Sequence, residues 1–356
     1  MIDQGENNLQ YDGGNVLYNT GYGALFPAMV AQWRDIWSTH PGTTDPLAPF
    51  GYVEIADGSD EAWGLSMAGL RWAQSANYGV VPNPSLPNVF SASTYDLGDP
   101  WDADQCSQTG QSCCVTTAQA LGPNCRGDHR GEWDFDGTNW FMGQVHPRPK
   151  MYVGQRLAQA AWATIYGGNA IASGPVVSGC TVSSGASSLT LTYNSTLLKG
   201  EKISWSKGSS AQAETTALYV LVGTPFPSWI SANHHDGAWQ SYKGCYADGN
   251  EAGVTGWVAV DATATGDNQL TVDLSPLNGA SPTAIRYAYG TGGWGGDSVN
   301  RMCCGPLTDV TLEPCAPDSC PLHAGEAPFR LPGLPFLAEI TKNGKCKCIA
   351  PQTCDE

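Results

Sequence analysis

The hydrophobic period changes once along this chain, close to residue 170, and that change confines the fold to a helix-and-strand part followed by a β-rich part. From Gly21 to Trp37, the apolar Leu25, Phe26, Met29, Trp33, Ile36 and Trp37 recur at helical spacing, with Gln32, Arg34 and Asp35 on the opposite face. Residues 49–56 form a nearly continuous apolar run after a Pro-rich turn, which suits a strand covered on both faces. Asp60 can cap a following helix whose stripe is Trp63, Met67, Leu70 and Gln74. Residues 88–95 read as a second buried strand, ending in Asp96-Leu97-Gly98-Asp99. A last helix is predicted over 150–166, with Val153, Leu157, Ala160, Ala161 and Thr164 inward and Gly167-Gly168 stopping it. This alternation builds a parallel sheet, and ligands of such sheets gather beyond the carboxyl ends of the strands.

Beyond residue 170 the period is two. Leu189, Leu191 and Tyr193 alternate with Thr190 and Thr192, and Leu270, Val272 and Leu274 repeat the pattern. Further strands are expected at 203–205, 218–222, 257–260, 285–289 and 336–340, separated by Gly, Ser and Asn, so this half should be mostly antiparallel. Residues 100–142 carry four cysteines, Cys106, Cys113, Cys114 and Cys125, and no clear period, as a stapled insertion would. The expected organisation is an α/β unit over 1–168 with 100–142 inserted, a β-rich unit over 169–342, and a Cys-containing tail over 343–356.

Charge and cysteine content restrict function. Seventeen basic against thirty-three acidic side chains give a net charge of −16, which repels phosphate backbones and excludes nucleic acid as a natural partner. No run of about twenty apolar residues exists, so no membrane span is expected. Thirteen cysteines, clustered mainly in loop-like sequence, favour disulfides over zinc, since no two CxxC pairs face each other. The sequon Asn194-Ser195-Thr196 agrees with a secreted or lysosomal, secretory-pathway location. The start, Met1-Ile2-Asp3-Gln4, has no basic and apolar leader, and one cysteine is odd, so further residues are expected upstream.

Two short stretches carry the chemistry. Val145-His146-Pro147-Arg148 places a histidine at the mouth of a helix, after a long polar loop, where an imidazole can take a proton from a nucleophile and return it to a leaving group. Gln4-Gly5-Glu6-Asn7-Asn8 places a glycine beside amides, a grouping that can aim N–H donors at a developing oxyanion and that also occurs in ordinary turns. His234-His235-Asp236 lacks helical metal spacing and reads as a polar loop. Asp99, Asp102 and Asp104 alternate like calcium ligands without the glycine and distal glutamate of an EF-hand. Trp33, Trp37 and Trp63 are expected in the core.

Taken in order, Gln4-Gly5-Glu6-Asn7-Asn8, Leu25-Phe26-Pro27-Ala28-Met29, Arg71-Trp72-Ala73-Gln74, Asp96-Leu97-Gly98-Asp99 and Val145-His146-Pro147-Arg148-Pro149-Lys150 resemble the sialate O-acetylesterase family of SGNH hydrolases. Ile285-Arg286-Tyr287-Ala288-Tyr289, Pro314-Cys315 with Cys320-Pro321-Leu322, and Leu334-Pro335-Phe336 are similar to the C-terminal part of its eukaryotic members. The resemblance implies a flavodoxin-like sheet carrying the site, a β-rich segment after it, and removal of O-acetyl groups from an acetylated sugar or glycoprotein glycan through a serine/histidine acyl-enzyme. No metal or organic cofactor is implied. His146 would be the base. Gly5 with Asn7 or Asn8 would form the oxyanion hole, and Glu6, with Gln4 beside it, would order the loop or contact the sugar. The family's nucleophile lies in a Gly-Gln-Ser-Asn motif that these 356 residues do not contain. Ser66, in Gly64-Leu65-Ser66-Met67, falls inside the predicted helix rather than on a strand-to-helix elbow. The acid that usually stands three residues before the histidine is replaced by Gly143. Asp99, Asp134 and Asp136 are the nearby acids, a backbone carbonyl can serve instead, and Asp136 is the choice made here. A chain without its nucleophile also fits a non-catalytic glycan-binding protein on an esterase scaffold.

Overall fold

The computed structural model describes residues 21–56, 71–97, 150–206, 218–223, 257–289, 320–327 and 329–350. It is a mixed α/β structure with a small parallel sheet and several antiparallel sheets. Helix α1 (Gly21–Ser38) packs over a parallel pair, β1 (Phe50–Val53) and β2 (Val89–Ala92), in the register Phe50 to Val89 through Val53 to Ala92. Helix α2 (Lys150–Thr164) packs against β2 and, less extensively, β1.

The helices bury different stripes from those the sequence predicts. In α1 the buried side chains are those of Tyr22, Phe26, Val30 and Arg34, an i, i+4 row, whereas Leu25 is 62% exposed and Trp37 51%. Phe26 meets Phe50 and Tyr52 edge-on at 5.9 and 5.1 Å, which seats that row on one face of β1. Arg34, read as polar surface, is buried because its Nε donates to the Ala48 carbonyl (2.9 Å) and its Nη2 to that of Asn88 (3.2 Å). It clamps the amino ends of both parallel strands. Strand β1 alternates half-buried and exposed residues and is not covered on both faces among the described residues.

The same substitution of polar for apolar contact occurs in α2. Its buried residues are Arg156, Gln159 and Ala160, while Val153 and Leu157 are only half-buried. Gln159 Nε2 donates to the carbonyls of Ile171 and Phe329, both at 3.0 Å, and so ties the helix to the β-rich half.

Among the described residues, that half contains three antiparallel sheets built from twelve strands. One four-stranded sheet orders β3 (Val177–Val182), β4 (Ser188–Tyr193), β9 (Gln269–Asp273) and β8 (Ala262–Gly266). Its inward residues Leu189, Leu191, Tyr193, Leu270 and Val272 are those the two-residue period picks out. A five-stranded sheet runs β14 (Cys346–Ala350), β13 (Phe336–Ile340), β10 (Pro282–Tyr287), β6 (Leu218–Val222), β7 (Trp257–Ala259). Its central strand β10 is buried on both faces from Ala284 to Tyr287, Arg286 included. The Arg286 guanidinium lies 4.1 Å from the Trp257 ring centroid and 5.3 Å from that of Tyr219, so ring faces help to hold the buried cation. A three-stranded sheet joins β12 (Leu331–Pro332), β11 (Leu322–Ala324) and β5 (Ile203–Trp205).

A disulfide between Cys180 and Cys346 links β3 to β14, so the expectation of disulfide chemistry holds for this pair. Asn194 of the sequon caps the short helix α3 (Ser195–Leu198), accepting from the Leu197 amide at 3.1 Å. Among the described residues no helix is long and apolar enough to cross a membrane.

The two halves meet along a hydrogen-bonded seam. The Tyr95 hydroxyl donates to the Gly333 carbonyl and lies 3.5 Å from the Tyr287 hydroxyl, which accepts from the Leu322 amide. Burial pushes both phenols well above their ordinary range, so they stay neutral donors. Gly174 sits where a Cβ would fall 1.7 Å from the Pro332 carbonyl oxygen, and only glycine admits that approach.

Candidate functional site

The carboxyl ends of β1 and β2 open onto the seam, and the residues just past those ends are polar in an otherwise apolar region. The Glu54 amide donates to the Ala92 carbonyl (2.9 Å), carrying the parallel pairing one residue further, and the Thr94 hydroxyl donates to the Glu54 carbonyl (2.5 Å). The backbone at Glu54 is therefore fixed from both sides. Its side chain accepts from the Ser91 hydroxyl at 3.0 Å. The next residue, Ile55, is held by the helical residues Arg71, whose Nε donates to its carbonyl (2.8 Å), and Gln74, whose Oε1 accepts from its amide (3.0 Å).

Glu54 is 6% exposed. Burial raises its pKa above the ordinary 4.5, against the opposing pull of the Ser93 and Ser91 hydroxyls and the Arg71 charge. A carboxyl whose folded pKa is raised contributes stability that is complete below its unfolded pKa and is lost as pH rises through the folded value. Glu54→Gln should therefore gain melting temperature relative to wild type between about pH 4 and pH 7. A difference that stays flat or shrinks over that interval would show that the carboxylate is well accommodated.

The second charged group here is Arg156. Its Nη1 donates to the Ser93 carbonyl (2.8 Å) and to Asp96 Oδ1 (2.6 Å), and its Nη2 donates to Asp96 Oδ2 (2.6 Å). The Asp96 side chain has no exposure at all. Burial works against the guanidinium charge, but the two-point contact with Asp96 outweighs it and raises the pKa further. This pair fastens α2 to the turn after β2, as Arg34 fastens α1 to the opposite ends of the strands.

A pocket lies between these groups and the β-rich half. Glu54, Ser91 and Arg156 form one side, and Ser173, Leu331 and Leu334 the other. Its position matches the general placement of ligands in parallel α/β sheets and at the junction of two packed units. Among the described residues no group of three or more His, Cys, Asp or Glu side chains could hold a metal ion.

His146, Asp136, Gln4, Gly5, Glu6, Asn7 and Asn8 lie outside the described residues, as do Ser66, Asp99, Asp134 and the His234-His235-Asp236 loop. The nearest described residue to His146 along the chain is Lys150, at the start of α2, six residues before Arg156. Sequence reasoning gave no role to Glu54 or Asp96, the two buried acids among the described residues. A usable signal existed for Glu54, because it is the one charge in Phe50-Gly51-Tyr52-Val53-Glu54-Ile55-Ala56.

No protein-family profile matches the chain. It shows distant, partial homology to sialate O-acetylesterases: 29% identity over 170 residues with that of Rattus norvegicus, covering 46% of this chain and 22% of the rat protein. The Homo sapiens protein is 38% identical over 98 residues, 27% of this chain and 18% of the human one. The chain thus spans under a quarter of the length of the relatives it matches. Among solved structures, a carbohydrate acetylesterase from Xanthomonas citri aligns with 91% of this chain and 48% of its own, with a TM-score of 0.47 and 21% identity.

Proposed function

We propose, from this partial homology to sialate O-acetylesterases, that the chain forms part of a carbohydrate O-acetylesterase acting through a serine/histidine acyl-enzyme. The α/β unit over 1–168 would carry the site, with the β-rich unit over 169–342 and the tail over 343–356 behind it. The observation that supports it most is the 170-residue match. The polar pocket at the carboxyl ends of β1 and β2 agrees with it.

In this mechanism His146 accepts the hydroxyl proton as the serine oxygen bonds to the acetyl carbon. Amides around Gly5, with Asn7 or Asn8, stabilise the oxyanion. The carbon–oxygen bond to the sugar then breaks, and His146 returns the proton to the departing alkoxide. Water repeats the sequence on the acyl-enzyme and releases acetate. Asp136 holds the imidazole, Glu6 and Gln4 order the loop or touch the sugar, and no cofactor takes part. The serine itself is not found in a Gly-Gln-Ser-Asn motif of this sequence. The disulfide agrees with a secreted or lumenal setting.

Acetate release from O-acetylated sugars should be measured for a version extended upstream into a Gly-Gln-Ser-Asn segment, with and without His146→Ala. Loss of release in the variant is expected, and equal rates would remove His146 from the mechanism. The missing motif also favours a second reading, a glycan-binding protein on an esterase scaffold. Glycan binding without acetate release by the extended version would select it.

A further inference from the structure

The triplet Asn194-Ser195-Thr196 is a motif of the sequence to which the esterase chemistry gives no role. It is the only Asn-X-Ser/Thr in the chain whose central residue is not proline. Whether such a triplet can carry a sugar depends on its place in the fold, because a glycan is bulky, has to leave through an open surface, and must not displace a bond that the fold needs.

The triplet stands between two anchors. Tyr193, at the end of β4, and Leu198, at the end of α3, are buried, while Ser195 and Thr196 between them are exposed. Asn194 is half-buried and extended, at φ −65° and ψ 104°, and its backbone amide donates to the Val176 carbonyl at 2.8 Å. The attachment point is therefore held in place while the residues after it face solvent.

The two ends of the Asn194 carboxamide have different tasks. Oδ1 accepts from the Leu197 amide at 3.1 Å and caps α3. Nδ2 has no partner among the described residues, and it is not one of the buried polar atoms left unsatisfied, so it reaches solvent. A sugar on Nδ2 leaves the oxygen able to go on accepting, so cap and glycan can share one side chain. Asn83, in Asn83-Pro84-Ser85, is the contrary case. Its proline spoils the triplet, and its Nδ2 already donates to the Ser75 and Val80 carbonyls at 2.8 and 2.9 Å, so a sugar there would cost the fold a bond.

We propose that Asn194 carries an N-linked oligosaccharide, added as the chain enters a secretory lumen and presented on the fixed segment between β4 and α3. The inference rests on the lumenal setting of the esterase reading and not on its chemistry. In the transfer, the Nδ2–C1 bond forms as the sugar's C1–O bond to a lipid pyrophosphate breaks. The pyrophosphate leaves with the electron pair, and one amide proton is lost to solvent.

The test is expression of the full chain behind a cleavable secretion leader in mammalian cells, then enzymatic deglycosylation in heavy-oxygen water and peptide mass mapping. The enzyme turns a glycosylated asparagine into labelled aspartate. Chain retained in the cell is analysed with that in the medium, since transfer takes place on entry to the lumen. Digestion should shift the wild type to one faster band, with the label at residue 194 and at no other. Thr196→Ala should abolish the shift and Thr196→Ser should keep it, and both leave the Oδ1 cap in place because Thr196 is exposed. Asn194→Asp, which keeps a capping oxygen, should run unshifted, and where it fails to accumulate the Thr196 pair decides alone. An unlabelled Asn194 in the wild type, or a shift that survives Thr196→Ala, would overturn the proposal. Catalysis is judged separately by acetate release: an unmodified chain whose upstream-extended version releases acetate sinks this inference and leaves the esterase reading, and a glycan at Asn194 without acetate release does the reverse.

Discussion

Replacing both cysteines of the Cys180–Cys346 bridge by alanine should lower stability by about 5 kcal/mol, because the bridge closes a loop of 166 residues. The gain from a cross-link comes chiefly from what it denies the unfolded chain, and it grows with the logarithm of loop length. The local contacts at the bridge cannot replace it. Around it lie a hydrogen bond from the Val182 amide to the Gly344 carbonyl (2.8 Å) and an exposed contact from Lys345 Nζ to Thr181 Oγ1 (2.9 Å). These contribute about 1 kcal/mol each at most. The double variant is the one to measure, since a single replacement leaves a reactive thiol in the core. Urea unfolding should show the midpoint falling steeply, and a loss below about 1 kcal/mol would mean that the unfolded chain keeps β3 and β14 close without the bond.

The second large effect is expected at Arg156 and Asp96. Arg156→Ala leaves the Asp96 carboxylate with no exposure and without its partner, which should cost about 3–5 kcal/mol. Asp96→Ala should cost a similar amount by stranding the guanidinium. Replacing both at once, Arg156→Met with Asp96→Leu, should cost much less than the two single losses together, since no charge then remains to be desolvated. A double-mutant cycle by chemical denaturation separates these cases. If the double variant lost the full sum of the singles, each residue would be acting through independent contacts, and the pair would not be the fastening between α2 and the β2 turn.

Both predictions concern links between segments far apart in the chain, and such links were the least legible feature of the sequence. Helix α1 could be read from its apolar spacing, and so could its limits to within a residue. The side of it that turns inward could not. Tyr22, Phe26 and Val30 face β1, while the equally apolar Leu25, Ile36 and Trp37 are exposed. A wide apolar arc contains more than one stripe, and the partner surface chooses between them. Arg34 was misplaced, and Arg156 was not singled out, for a related reason. A charge is read as surface until a carboxylate or carbonyl elsewhere in the chain is seen to satisfy it.

The candidate site divides in the same way. The resemblance placed catalytic roles on residues 4–8, 136 and 146, which the described structure does not include, and it assigned nothing to Glu54 or Asp96. Glu54 gains significance only when β1 is laid parallel to β2 and the 331–334 segment closes over its end. Nothing local to position 54 specifies that neighbour.

The order of residues by itself determined the period of each segment: 3.6 over residues 21–37, two over 188–193 and 269–273. With it came the mixed α/β class, since periodicity is a property of neighbours along the backbone. Only the tertiary structure decided which polar groups are buried, that Cys180 bridges Cys346, and that a pocket opens between Glu54 and Leu334. Those outcomes depend on the surface each residue meets across the fold, and one position along a chain carries no record of it.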